Sequence, residues 1–289
     1  MINMNRNSCC QSPSIEIPYL GLGTYRSKEQ DCIDSVKEAL LLGYRLIDTA
    51  TVYKNEHLVA EGISQSGVPR EDIFITSKLS PADQGEEAAY KAVLSSLERL
   101  RTSYIDLYLI HWPGVRKKQV TDPLNKDLRH GSWRALQRLY HEGKLRAIGV
   151  SNFTQRHLEL LQSSEGFEIM PALNQVEYHP LCQQLELYDY CKEHGIVLQA
   201  YSSLGQGSEE LVQNEHLLNL ASKLGKTVYQ VLLRWAIQKD VPVIPKSVKA
   251  ERIEENFHIF DFEIEEEDMM SLDCLHMDHH FCWNPSSVI

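Results

Sequence analysis

Four side chains in the first half of the sequence have the types needed to move a proton at a polarised oxygen: Asp48, Tyr53, Lys78 and His111. Tyr53 follows Asp48 by five residues, close enough for a short loop to return it to the same place. A free tyrosine titrates at about pH 10, too high for efficient proton donation at neutral pH. A lysine cation beside it favours the phenolate and lowers that value. Lys78 tolerates burial only with a partner, which Asp48 can supply. His111 can hydrogen-bond a carbonyl oxygen and fix its orientation. The set suits the reduction of a carbonyl. No side chain stores a hydride, so a nicotinamide must supply it.

A second group of polar residues lies near the other end of the chain. Lys246 and Ser247 are followed five residues later by Arg252. Together they offer a point cation, a hydroxyl and a planar fork to one dianionic group. The 2′-phosphate that distinguishes NADPH from NADH is the natural ligand, although KSVKAER also reads as solvated surface charge.

The elements that would position these residues alternate strand and helix. Eight short apolar runs read as buried strands: 19–24, 45–50, 73–78, 104–111, 147–152, 172–177, 196–201 and 242–247. Their near-continuous Ile, Leu, Val and Tyr content suits parallel strands covered on both faces. Between them, residues 30–42 and 86–100 carry apolar side chains at helical spacing. An extra helix is expected at 217–224, before the seventh barrel helix at 228–237. This pattern predicts an α/β fold, either a closed (β/α)8 TIM barrel or an open doubly wound sheet. The open sheet's glycine fingerprint is incomplete, because GLG at 21–23 is followed by TYR, so the barrel is the expectation.

In a barrel the reacting groups gather at the carboxyl ends of the strands. Asp48, Lys78, His111, Ser151–Asn152, Gln175, Tyr201 and Lys246–Ser247 all end strands in this reading. Alternation puts His111 on the face of Leu109 and Leu107, and Asp106 on the opposite face, so Asp106 is expected to be structural. A lone Asp–Lys pair is usually a structural ion pair, and a lone strand histidine usually a satisfied core residue. Their joint occurrence at three consecutive strand ends points to a site.

Composition narrows the function classes. The chain has 289 residues, 43% hydrophobic and 24% charged, ordinary for a globular protein. A net charge of −11 argues against nucleic acid or an anionic membrane as partner. The seven cysteines are scattered without paired spacing, which fits a reducing, cytoplasmic compartment. MINMNRNSCCQSPS has no apolar core of a secretion signal, and Ile2 stands where myristoylation needs glycine. No stretch reaches the roughly 20 apolar residues of a membrane span. One domain over 1–289 is expected, with 1–14 unstructured and a monomer the simplest state. In CLHMDHHFC, Cys274, His276, His279, His280 and Cys282 lack the paired spacing of a zinc site, so a loop over the barrel mouth is expected rather than a metal.

The sequence resembles the aldo-keto reductase family over nearly its whole length. The likeness is carried by GLGTY (21–25), LIDTATVYKNE (46–56), ITSK (75–78), DLYLIHWP (106–113), IGVSNF (148–153), NQVEYHP (174–180), AYSSLGQG (200–207) and IPKSVKAERIEEN (244–256), in family order. The resemblance implies that Asp48, Tyr53, Lys78 and His111 form a catalytic tetrad with Tyr53 as general acid. It implies that Ser151, Asn152 and Gln175 hold the carboxamide of NADPH, that Tyr201 stacks on its nicotinamide, and that Glu255 and Asn256 meet the adenine. Gly23, Thr24, Tyr25, Asp48, Ser202 and Leu204 join Lys246, Ser247 and Arg252 as further cofactor contacts.

Tyr25, Val52, Tyr53, His111 and Trp112 would line a pocket for a small-molecule carbonyl. Ser80 stands where many members have a tryptophan, Ser203 replaces a frequent proline, and the tail after His280 is short. These departures point to an open pocket for small aldehydes and dicarbonyls, with prostaglandin F synthase-like reduction a related branch. A non-enzymatic NADPH-binding or structural protein is the alternative, disfavoured by the intact tetrad. A metallohydrolase lacks paired histidines at a strand end.

Overall fold

The structure is a computed structural model that describes residues 5, 7–13 and 15–289. Two short strands open the chain, β1 (Cys9–Gln11) and β2 (Glu16–Pro18). Then β3 (Gly21–Gly23), α1 (Glu29–Leu42), β4 (Leu46–Asp48), α2 (Glu56–Ser66), β5 (Phe74–Leu79), α3 (Glu86–Leu100), β6 (Ile105–Ile110) and α4 (Leu124–His141) follow. Next come β7 (Leu145–Ser151), α5 (Gln155–Gln162), β8 (Leu173–Glu177), α6 (Leu185–Glu193) and β9 (Val197–Tyr201). The last elements are α7 (Glu209–Val212), α8 (Glu215–Leu224), α9 (Val228–Gln238), α10 (Ala250–Phe257) and α11 (Glu266–Asp273).

Strands β3 to β9 form a parallel sheet in sequence order. The sheet closes through residues 242–246, where Val243 bridges both Leu20 and Ala200, and Lys246 bridges Gly23. The expected eighth strand is therefore present as isolated bridges. Pro242 and Pro245 have no N–H to donate, so a continuous ladder cannot form there. Both prolines still accept: Ala200 N–H donates to the Pro242 carbonyl at 2.8 Å and Gly23 N–H to that of Pro245 at 3.0 Å. The result is the (β/α)8 barrel, and its seventh helix, α9, is preceded by α8 as expected.

The helices start and stop where local chemistry dictates. Thr227 and Gln230 form a reciprocal capping box at the start of α9, and the Asn214 side chain caps α8. Gly43 ends α1 with φ 112°, a conformation open to glycine. The inner faces of the helices are apolar and pack on the sheet, with Trp133 of α4 and Trp235 of α9 fully buried.

The expectation of an unstructured 1–14 is corrected for Cys9–Gln11. They pair antiparallel with Glu16–Pro18, and Ile17 is fully buried. The Tyr19 hydroxyl donates to the Asp240 carboxylate just before the closing segment, holding this hairpin beneath the amino-terminal end of the barrel. Residues 1–4, 6 and 14 lie outside the described residues. No helix among the described residues is long and apolar enough to cross a membrane.

Candidate active site

Asp48 ends β4 and Lys78 lies near the end of β5, both fully shielded from solvent. Lys78 Nζ donates to Asp48 Oδ1 at 2.6 Å and to the Thr49 carbonyl at 2.9 Å. The third ammonium N–H has no partner among the described residues. The other carboxylate oxygen of Asp48 accepts from Gln175 Nε2 at 2.8 Å, and the same nitrogen donates to Gln199 Oε1. This buried pair is thus fixed from three strands. Burial pulls the Lys78 pKa below its usual value, and the Asp48 charge opposes the shift.

Tyr53 reaches this pair on a single 3-10 turn, Thr51–Tyr53, after which Lys54 takes a left-handed φ of 59°. Asn55, 1% exposed, anchors the turn. It donates to the carbonyls of Thr24 and Ser27 and accepts from the Thr49 hydroxyl, tying the loops after β3 and β4 together. Lys78 Nζ stands 5.3 Å from the centre of the Tyr53 ring. The His111 ring meets the Tyr53 ring edge-on, with centres 5.7 Å apart. The four residues read from the sequence as one set therefore converge.

One electrostatic expectation is not met. Burial, then the Asp48 charge and then Tyr25, push the Tyr53 phenol well above its ordinary pKa. The Lys78 cation is matched by Asp48, so the lowering expected from a free lysine is absent and the phenol stays protonated. Burial, and then the Lys78 charge, pull His111 down to about 3, so its imidazole is neutral. Its Nδ1 is buried with no hydrogen-bond partner among the described residues.

Beside His111 runs a connected polar chain from β7, β8 and β9. Asn152 Nδ2 donates to the His111 carbonyl at 2.9 Å and to Ser151 Oγ at 3.0 Å. Ser151 Oγ donates to the Gln175 carbonyl, and the Tyr201 hydroxyl to Asn152 Oδ1 at 2.8 Å. Asn152 holds a φ of 62°, which turns its amide toward His111.

A model of the aldo/keto reductase family matches residues 19–276 of this sequence. The chain belongs to the aldo/keto reductase family. Glyoxal reductase of Bacillus subtilis (strain 168) is 49% identical over 276 residues, covering 95% of each chain. The 9,11-endoperoxide prostaglandin H2 reductase of Trypanosoma cruzi (strain CL Brener) is 44% identical over 289 residues, covering 99% of this chain and 97% of that one. Among solved structures, the aldo-keto reductase MGS-M4 from a Medee basin deep-sea metagenome library aligns with a TM-score of 0.85 at 44% identity, covering 92% of this chain and 94% of its own. The protein is accordingly an oxidoreductase that reduces carbonyls with a nicotinamide cofactor.

In this aldo/keto reductase the cofactor candidates gather on one rim. Gly23 pairs with Asp48 on one side and bridges Lys246 on the other. A Cβ at Gly23 would meet the Ile244 carbonyl at 2.7 Å, so only glycine permits that approach. Thr24 is buried and donates to the Asp48 carbonyl at 2.9 Å. Lys246 and Arg252 are exposed and form no ion pair among the described residues. Ser247 Oγ accepts from Lys249 N–H, shaping the turn into α10. Glu255 accepts from the Thr227 hydroxyl, Asn256 is buried, Ser202 Oγ lies 3.2 Å from Cys282 Sγ, and Leu204 packs on the core. This donor-rich rim, with two cations unpaired among the described residues, fits a nicotinamide dinucleotide.

The pocket candidates Tyr25 and Val52 are exposed, and the Tyr25 ring lies 5.1 Å from that of Tyr53. Trp112 meets a residue the sequence reading passed over, Trp283 of the carboxyl-terminal tail, edge-on at 6.3 Å. Ser80 is buried and accepts from Ala82 N–H.

Glu177 was also missed. Its buried carboxylate accepts from Phe281 and Cys282 N–H and meets His179 and His280. Burial opposes its ionisation, yet these donors, led by His179, hold it below the usual carboxylate range. Polar residues at alternate positions of one strand, Gln175 and Glu177, were the available signal. Asp106 is structural as expected, clamped by Arg70 at 2.6 Å and Arg146 at 3.2 Å.

Proposed function

We propose that this chain is an NADPH-dependent reductase of small aldehydes and dicarbonyls, with Tyr53 as the proton donor. The observation that carries this reading is the convergence of Tyr53 and His111 on a buried Lys78–Asp48 pair. Reduced nicotinamide, when bound, supplies the hydride. The Tyr53 phenol, kept protonated by burial, gives its proton to the carbonyl oxygen. Lys78, with one N–H uncommitted, then stabilises the phenolate left behind, and Asp48 keeps Lys78 charged despite its burial. Neutral His111 hydrogen-bonds the carbonyl oxygen and orients it.

Ser151, Asn152 and Gln175 would hold the carboxamide, with Tyr201 against the ring. Lys246, Ser247 and Arg252 would take the 2′-phosphate, with Glu255 and Asn256 at the adenine; Gly23, Thr24, Tyr25, Ser202 and Leu204 complete the contacts. The uncommitted cations at 246 and 252 support NADPH over NADH. Tyr25, Val52 and Trp112 would wall the substrate. The exposed Tyr25 and Val52 support a wide mouth, and glyoxal reductase among the relatives supports dicarbonyls. Seven free cysteines support a reducing, cytoplasmic compartment, and we take the chain as a monomer.

The test follows NADPH oxidation, and separately NADH oxidation, with glyoxals, short aldehydes, quinones, prostanoids and steroid ketones. Turnover of glyoxals and aldehydes with NADPH, and weaker turnover with NADH, is expected. Strict preference for one large ketone would overturn the open-mouth reading.

A further inference from the structure

Three ligand-type atoms meet where the tail crosses the loop after β8, among side chains that the reduction does not use. Cys182 Sγ, a carboxylate oxygen of Asp278 and a ring nitrogen of His280 all lie within 4.8 Å of one another. Cys182 Sγ is 3.7 Å from His280 Nε2, which is 3.5 Å from Asp278 Oδ1. On a tetrahedral zinc ion with bonds of about 2.0–2.3 Å, neighbouring ligand atoms stand about 3.3–3.6 Å apart. The nitrogen–oxygen separation matches that shell, while the sulfur, 3.6 Å from Nδ1 and 3.7 Å from Nε2, must turn about its Cα–Cβ bond to the Nε2 side to complete it.

A second, independent observation selects the nitrogen. His280 Nδ1 lies 3.1 Å from Glu177 Oε2, and that carboxylate is itself fixed by Phe281 and Cys282 N–H. A buried carboxylate on one ring nitrogen sets the tautomer and leaves the Nε2 lone pair free for a metal on the side of Asp278, as in carboxylate–histidine–zinc arrangements. An entry path exists. The Asp278 side chain is 75% exposed, and Asp278 and His280 line a cavity of about 190 Å³ that reaches Asn152 and Tyr201.

We propose that Cys182, Asp278 and His280 bind one zinc-class divalent cation, with water in the fourth position and Glu177 as the positioning residue behind His280. Sulfur, imidazole and carboxylate together suit zinc better than calcium or magnesium, which take oxygen alone. On binding, the Cys182 thiol proton leaves to solvent and the sulfur–metal bond forms. Loading ties residues 278–280 to the loop after β8, and so fixes the tail that carries Trp283 to Trp112. The proposal goes beyond the reductase reading and does not depend on it.

The test is a Co2+ titration of the full chain, stripped of metal and kept reduced with a phosphine. A thiolate-to-cobalt absorption band saturating at one ion per chain, displaced by Zn2+, is expected. So is a rise in Tm of a few degrees when Zn2+ is in large excess over Kd. Cys182→Ser should abolish the band, and Asp278→Ala, a change on the surface that leaves the fold intact, should weaken binding at least tenfold. Glu177→Gln should weaken it about 10- to 100-fold through His280. No band in the wild type, a full band in Cys182→Ser, or unchanged affinity in Asp278→Ala would each overturn the site.

Discussion

Two strand aspartates in this barrel are paired with cations, and they behave differently. Asp106, near the start of β6, accepts from Arg70, Arg146 and the Ile75 N–H, while Arg70 also donates to Thr102 and to the carbonyls of Ile73 and Tyr104. Its donors are committed to holding strands and loops together. Asp48, at the end of β4, faces a lysine with an N–H to spare, beside a histidine nitrogen with no partner. The ion pair alone does not mark chemistry. Uncommitted polar capacity, kept dry at a strand's carboxyl end, does.

The largest effect should come from breaking the Asp48 pair. Lys78→Met leaves a buried carboxylate without its cation, a loss of about 3–5 kcal/mol in stability. Denaturant midpoints should fall accordingly, and carbonyl turnover should drop to background; a stable, active variant would equate the two aspartates. Next in size is the other pair of uncommitted cations. Arg252→Ala should raise KM for NADPH about 10- to 100-fold, from the roughly 1.5–3 kcal/mol of a charged hydrogen bond, and leave KM for NADH unchanged. Equal effects on both cofactors would remove the phosphate assignment.

Acid offers a third comparison. His111 is held at about 3 by burial and then by Lys78, against an ordinary value of 6.5. The unfolded chain therefore binds a proton below about pH 6.5 that the folded chain refuses, so stability is complete above that pH and falls as acid is added toward about pH 3. His157, pulled down to about 4, acts the same way elsewhere. His111→Gln should shallow the fall of Tm with pH, and an unchanged slope would show that His111 titrates normally. The smallest effect belongs to the other aspartate. Arg146, half exposed beside Asp106, should cost about 1 kcal/mol or less when changed to alanine, with no effect on turnover.

Much of this is legible in the sequence. The central strands were placed within about two residues because buried parallel strands are apolar runs, and the polar residues ending them stood out against that background. Alternation on β6 separated His111 from Asp106 correctly. Helix 86–100 was located to the residue. What stayed hidden depends on contacts between distant segments. The prolines that break the closing strand were visible, but not the bridges that still close the barrel. Asn55, Glu177 and Trp283 act by reaching loops and tail far away in sequence, and no periodicity reports such contacts. The direction of the Tyr53 pKa shift differs from the expectation for a related reason: the sequence names the lysine but not how fully Asp48 matches it.

The most direct test sets Tyr53 against Tyr19, a tyrosine hydrogen-bonded to a carboxylate at the opposite end of the barrel. Single-turnover oxidation of bound NADPH by an aldehyde should slow about 10²- to 10⁴-fold in Tyr53→Phe, with NADPH affinity retained, and should be unaffected in Tyr19→Phe. A Tyr53→Phe rate within a few fold of the wild type would contradict the assignment of the proton donor.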